Sequence, residues 1–215
     1  MRRKPLVRDD CLALVPLADL FNHAAEGCEV SFSPAAYTVN AHRRIEEGEE
    51  VCISYGAHSN DFLLVEYGFV MGGGEDEGEG RNKWDSVNLD ELLTPLMGEK
   101  QEKALRDEGF WGRYVLDAQG VCYRTRVALG VLSMPAGEWR QALKGGFEQD
   151  DPKKKKKADE ILLQALKPYR DAVEEKIEKV QRLDVEEESQ RAMLSRRWRQ
   201  IYTLVSDEIN RIEKR

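Results

Sequence analysis

The sequence predicts an α+β fold, a partial β-fold of short strands in the first third followed by an all-α region. Two observations carry this. Glu29 to Phe32, Tyr37 to Ala41 and Val51 to Tyr55 alternate with the two-residue period of a strand, and proline or glycine punctuates them. From Asp159 onward, apolar residues instead recur every three or four positions. Between the two regimes lies Gly72 to Gly80, GGGEDEGEG, which is too polar to bury apolar surface and reads as a linker. The expected organisation is therefore residues 1–71, a linker at 72–83, and a helical domain at 84–215 with a lysine-rich insertion near 145–157.

Each element has its own signal. The segment from Cys11 to Leu20 is apolar, but Pro16 argues against an uninterrupted helix. Ser33-Pro34 separates the first two strands, and a turn containing Gly48 leads to the third, where Val51, Ile53 and Tyr55 share a face. Ser59 or Asn60 can cap a short helix carrying Phe62, Leu63, Leu64 and Tyr67, which Gly68 ends. Leu89, Leu92, Leu93, Leu96 and Met97 recur at helical spacing. Lys103 to Leu116 reads as an amphipathic segment and Arg124 to Leu132 as a further helix before Pro135. Two long helices follow, one with Ile161, Leu162, Leu166, Val173 and Val180 on its apolar face, the other with Trp198, Ile201, Val205, Ile209 and Ile212. Arg196, Arg197 and Arg199 are among the charges expected on the opposite faces, and a helical hairpin results. The run Lys153 to Lys157 reads as a solvated loop insertion, with a nuclear-import signal or anionic-surface patch as alternatives.

Composition narrows the function classes. At 41% hydrophobic and 34% charged, the 215 residues suit a modest core with long solvent-facing helices. The net charge of −7, from 33 Lys+Arg against 40 Asp+Glu, argues against nucleic acid as the partner. The four cysteines, Cys11, Cys28, Cys52 and Cys122, form no CxxC pair, so no metal site is expected and they read as free thiols in a reducing compartment. The basic N-terminus precedes an apolar run too short and too interrupted for a signal peptide or membrane span. A soluble intracellular protein, cytoplasmic or nuclear, is expected.

One composite pattern carries chemistry: Asp19-Leu20-Phe21-Asn22-His23, then Gly48-Glu49-Glu50-Val51, then Ile53-Ser54-Tyr55-Gly56, Ser59-Asn60 and Tyr67-Gly68-Phe69. Singly, each piece has an ordinary structural reading. His23 could be a hydrogen-bonded structural histidine, Tyr55 a half-buried strand aromatic, Tyr67 a packing residue and Asp19 a cap or surface carboxylate. In this order and spacing, the pieces together resemble the second half of a SET domain of the Rubisco large-subunit methyltransferase-like kind. That family includes enzymes acting on ribosomal proteins and other non-histone targets, and it carries a C-terminal helical substrate-binding domain.

The resemblance implies a protein-lysine N-methyltransferase that uses S-adenosyl-L-methionine (AdoMet) and takes a target lysine of a protein as substrate. It implies that Asn22 and His23 contact the adenosine part of AdoMet and that Ser59 and Asn60 lie on the cofactor side. Tyr55 would be the catalytic tyrosine that orients the target nitrogen, with Asp19 and Tyr67 lining the lysine channel. Methyl transfer is an in-line displacement that needs donor and amine held at near-attack distance and water kept out. A tyrosine at a strand end suits this, because its rigid hydroxyl can meet the reacting nitrogen and its ring favours nearby cations.

A SET domain of this family opens with a glycine-bearing motif that forms the other wall of the AdoMet pocket, and no GxG-type segment precedes Asp19. The expectation is a catalytic domain truncated at its front, with little activity as this chain alone. The pattern also suits a relative methylating histidine on actin. Two competing readings are a catalytically inactive SET remnant acting as a protein-interaction module, and a helical scaffold with a chance N-terminal pattern.

Overall fold

The computed structural model describes residues 15–33, 36–72, 82–145, 151–184 and 187–215. Cys11 to Leu14, Pro34, most of the expected glycine-rich linker and residues 146–150 of the expected insertion lie outside these. The chain divides into two compact units, Met1–Ala57 and His58–Arg215.

In the first unit, β1 (His23–Ser33) and β2 (Ala36–Asn40) form the antiparallel hairpin expected from the alternation, with Val30 opposite Val39 and Phe32 opposite Tyr37. A single 3₁₀ turn, Ala18–Leu20, precedes it. Val51 to Tyr55 is not a continuous strand. Ile53 alone bridges, to His23 and to Cys28, both in parallel sense. The segment shares its main-chain bonds between two stretches: the Ile53 N–H donates to Asn22 O at 2.9 Å and the Cys28 N–H to Cys52 O at 2.8 Å. Gly27 makes this crossing possible, since a Cβ there would stand 2.3 Å from the Ile53 carbonyl carbon. Cys28 and Ile53 are the buried apolar side chains of this unit among the described residues.

The second unit opens with α1 (Asn60–Tyr67), formed as its caps predict. Ser59 Oγ accepts from the Phe62 N–H, and Gly68, at φ 78°, takes the left-handed turn that ends the helix without a Cβ clash. Strand β3 (Ser86–Asn88) leads into α2 (Asp90–Leu93) and a 3₁₀ turn at Thr94–Leu96, where Pro95 cuts short the expected longer helix. Helix α3 (Glu99–Asp107) covers only the start of the amphipathic segment expected to reach Leu116. Gly109 and Gly112, both at positive φ, turn the chain so that Val115 and Leu116 enter β4 (Val115–Asp117). With β5 (Gly120–Val121) this makes an antiparallel sheet in the order β3-β4-β5.

Helices α4 (Tyr123–Ser133), α5 (Ala136–Lys144), α6 (Pro152–Gln181) and α7 (Glu188–Glu213) complete the unit. The core joins Leu89, Leu116, Val127, Trp139, Leu162, Leu166 and Ile209, all essentially solvent-free. The Trp139 indole donates to Val127 O at 3.0 Å, so the largest buried side chain leaves no polar atom unpaired. α6 and α7 form the expected hairpin. Its antiparallel course shows in the pairs Lys167–Glu213 at 2.7 Å and Asp159–Arg215 at 3.2 Å. The Lys153 to Lys157 run is not a loop: α6 begins at Pro152. The Asp151 carboxylate accepts from the Lys153 N–H at 2.9 Å and Pro152 takes the first helical position, a start signal that outweighs five cations at a helix N-terminus.

Candidate functional site

In the first unit, three of the expected site residues come together. Asn22 precedes β1, His23 begins it, and the Ile53 bridge brings Tyr55 back beside both. The Tyr55 N–H donates to His23 Nδ1 at 3.0 Å and the rings stand 5.1 Å apart, tilted by 34°. An Nδ1 that accepts a main-chain N–H places the proton of neutral imidazole on Nε2. The Tyr55 hydroxyl donates to Phe21 O at 2.7 Å. Its proton is thereby committed, so toward any further partner the phenol oxygen acts as an acceptor. The Asn22 side chain is exposed, its Nδ2 donating to Glu50 Oε1 at 2.6 Å, while the main-chain carbonyl of Asn22 accepts from the Ile53 N–H. Asp19 is exposed on the 3₁₀ turn and makes no hydrogen bond or ion pair among the described residues.

The surroundings of this cluster are polar and charged. Arg43 and Glu49 form an ion pair that, chiefly through the Arg43 hydrogen bond, holds the Glu49 carboxyl down at about 2. Burial, with the charge of Glu50, pushes the Cys52 thiol up, so Cys52 is a poor nucleophile at neutral pH. Cys28, Cys52 and Cys122 are free thiols, and Cys11 lies outside the described residues. Among the described residues, no group of three or more His, Cys, Asp or Glu could hold a metal ion.

The other expected site residues belong to the second unit. Ser59 is the cap of α1. Tyr67, half exposed at the end of α1, lies in a run of aromatic contacts with Phe62 and Phe69, each with ring centroids 6.3 Å away, and Phe62 stacks on His58 at 4.1 Å. Asn60 is buried to 1% exposure and fully engaged by protein groups. Its Nδ2 donates to Met71 O at 3.1 Å and Gln200 Oε1 at 2.9 Å, and its Oδ1 accepts from the Met71 N–H at 3.1 Å and Asn82 Nδ2 at 3.0 Å.

Several contributors carry no sequence signal of their own. Phe21 acts through its carbonyl, an atom every residue has, and Glu50 is one of four glutamates between Glu46 and Glu50. Arg197, expected on a solvent face of α7, is 2% exposed and clamped between Asp61 and Asp85.

Comparison with known proteins adds family context. Residues 85–213 match the family described as the ribosomal lysine N-methyltransferase 2 C-terminal domain. The chain is 30% identical to ribosomal lysine N-methyltransferase 2 of Saccharomyces cerevisiae, over 80% of this chain and 39% of that protein. It is 30% identical to ribosomal lysine N-methyltransferase set11 of Schizosaccharomyces pombe, over 60% of this chain and 32% of that protein. SET domain-containing protein 4 of Mus musculus is 29% identical over 67% of this chain and 34% of its own length. The chain thus spans about a third to two-fifths of the length of each of these three relatives.

Proposed function

The chain belongs to the SET-family lysine methyltransferases, through the ribosomal lysine N-methyltransferase 2 C-terminal domain, and from that premise we propose that it forms part of an AdoMet-dependent protein-lysine N-methyltransferase of the Rubisco methyltransferase-like kind. Its target is a non-histone protein, and the names of its relatives point to a protein of the ribosome. The single observation carrying the activity is the juxtaposition of Tyr55, His23 and the Phe21 carbonyl, with the tyrosine hydroxyl donating at 2.7 Å.

The donor set there suits the edge of a purine. An exposed amide at Asn22 offers both a carbonyl and an N–H, and the imidazole at His23 carries its proton on Nε2. When bound, AdoMet supplies an electrophilic methyl group. The chain's own residues hold and orient: Asn22 and His23 contact the adenosine, and the Tyr55 oxygen accepts an N–H of the incoming lysine amine. That contact turns the nitrogen lone pair toward the methyl donor, and the tilted ring favours positive charge developing on the nitrogen. The family resemblance assigns Ser59 and Asn60 to the cofactor, and Asp19 and Tyr67 to the target lysine. The capped, hydrogen-bonded setting of Asn60 supports a part in fixing backbone position.

The test is label transfer from methyl-labelled AdoMet to a ribosome-containing cell extract. It is run with this chain and with this chain placed behind the N-terminal part of its yeast relative. Label entering a discrete protein, and lost on Tyr55→Phe, supports the reading. No label with either protein, although AdoMet binds, overturns it.

A further inference from the structure

Helix α6 opens on five consecutive lysines, Lys153 to Lys157, at the end of a helix that disfavours them. The macrodipole puts partial positive charge at a helix N-terminus, and Lys153 lies one turn from both Lys156 and Lys157, the spacings at which like charges repel. Lys154 pairs with Glu138 at 2.7 Å. Lys153, Lys155, Lys156 and Lys157 are exposed, and none of their ammonium groups has a hydrogen bond or ion pair among the described residues. Ala158, Leu162 and Leu166 carry the buried face of the helix. At about 100° per residue, Lys153, Lys156 and Lys157 fall together on the opposite face, so packing does not account for them.

The described acids nearby do not neutralise this face. Asp151 caps the Lys153 N–H at 2.9 Å, Glu138 holds Lys154, and Asp159 holds Arg215 at 3.2 Å. Glu160, exposed one turn further along, offsets one charge of the three. A local arrangement that destabilises the helix without serving the core marks a contact with something outside it. The net charge of −7 speaks against nucleic acid for the chain as a whole, but an exposed charge acts only across about 8–10 Å in ordinary salt, so the local excess decides. Between Tyr123 and Leu183 no large apolar side chain is exposed among the described residues. A lipid surface therefore finds no apolar anchor here, and unstacked bases find no ring. A receptor for extended chain would have to unwind the turns that Asp151 and Pro152 fix. The phosphates of a duplex ask for none of these, only for cations spaced along one face.

We propose that the start of α6 is a contact for the phosphate backbone of double-stranded RNA, with Lys153, Lys156 and Lys157 as the phosphate ligands. The choice of RNA over DNA rests on the methyltransferase reading, whose target is a protein of the ribosome; the phosphate contact itself does not. Phosphates would neutralise the lysines, so binding should also firm the first turn of α6, where the Lys155 N–H donates to Asp151 O at 3.0 Å.

The test uses the full chain without AdoMet and a fluorescein-labelled RNA duplex of about 16 base pairs, read by fluorescence anisotropy. Saturable binding is expected at about 0.05 M salt. Lys153→Gln, Lys156→Gln and Lys157→Gln together should weaken it at least about tenfold. They should also reduce the slope of log affinity against log salt by about 2–3, one for each phosphate lost. Lys153→Arg, Lys156→Arg and Lys157→Arg together should stay within about threefold. The control, Lys100→Gln, Lys103→Gln and Lys179→Gln, changes net charge equally at exposed positions on α3 and at the far end of α6, and should leave binding within about twofold. Removing the lysines at the start of α6 relieves repulsion, so that Gln triple should melt no lower than the native chain, and lost binding is then not lost fold. Hydrogen exchange at the Lys155 amide should slow when the duplex is added. Absence of saturable binding, or equal loss in the control triple, overturns the proposal. So does stronger competition by phosphatidylserine vesicles or single-stranded RNA than by unlabelled duplex, or tighter binding of a DNA duplex of the same sequence. None of these outcomes bears on label transfer from AdoMet, so the two readings fail separately.

Discussion

The Arg197 guanidinium and the Asp61 carboxylate meet at 2.7 Å, tying α7 to the first turn of α1 across 136 residues of chain. Asp85 at 2.8 Å and Ser86 O at 3.2 Å complete the fork. Burial opposes the charge of Arg197, but the two carboxylates more than offset it and its pKa is raised. Arg197→Ala leaves Asp85 unpaired at 12% side-chain exposure and should cost about 3–5 kcal/mol. Asp61 is half exposed, so Asp61→Asn should cost only about 1 kcal/mol. Denaturant unfolding of both variants checks the ratio, and equal costs would show that Asp61 rather than Asp85 anchors the arginine.

Elements whose pattern depends on neighbours in sequence were legible. The β1–β2 hairpin follows from alternation, α1 from Ser59 and Gly68, and the α6–α7 hairpin from the three-four rhythm. The arrangement around Tyr55 was legible as a motif, because Asn22, His23 and Tyr55 meet through main-chain pairing of the segments that carry them. What periodicity cannot see is a charge buried by partners from remote segments, and Arg197 reads as solvent-facing for that reason. Nor does alternation separate a strand from extended chain that bridges at a single residue, as at Ile53. The start of α6 was readable from Asp151-Pro152, but the lysine run obscured it.

Tyr55→Phe removes the hydroxyl that bonds Phe21 O while keeping the ring beside His23. In an active form of the protein, methyl transfer should fall by about a hundredfold with AdoMet affinity nearly unchanged, since the loss falls on orientation of the amine. Single-turnover rates beside AdoMet titration separate the two. Unchanged turnover would remove Tyr55 from the reaction.

Gly27→Ala should break the crossing of β1 and the Ile53 segment, because the nearest atoms, at 2.3 Å and 2.7 Å, are backbone and cannot rotate away. A destabilisation of at least about 2 kcal/mol is expected in the first unit. Amide hydrogen exchange checks it: the Ile53 and Cys28 N–H groups, which donate to Asn22 and Cys52, should lose protection first.

Glu208 sets a pH dependence. It is 3% exposed, and burial raises its carboxyl above the ordinary 4.5 although the charge of Arg211 pulls the other way. For a carboxyl whose folded pKa is raised, the penalty is absent below the unfolded value and grows as pH rises through the folded one. Glu208→Gln escapes that penalty but loses the charge-assisted bond. Relative to the native chain, the variant should therefore be less stable at pH 4.5 than at pH 7. Paired thermal melts at the two pH values read the sign, and no pH dependence in the difference would show that Arg211 cancels the burial.

Asn60 offers a discriminating test between anchoring and ligand contact. Both donors of its Nδ2 and both acceptor positions of its Oδ1 are taken by Met71, Gln200 and Asn82. Asn60→Asp keeps the shape but turns two donors into acceptors facing Met71 O and Gln200 Oε1. Gln200 cannot flip to help, because its Nε2 already donates to Met71 O at 2.7 Å and Gly72 O at 3.2 Å. A charge at 1% exposure facing carbonyls should cost about 3–5 kcal/mol. Asn60→Ala, which strands the Met71 N–H and one Asn82 donor, should cost about 2 kcal/mol. An anchoring residue lowers the melting temperature in both variants while AdoMet affinity, measured below the transition, stays as it was. A residue that touches the cofactor does the reverse, losing affinity in Asn60→Ala out of proportion to the melt, so calorimetric titration beside thermal unfolding decides between the two roles.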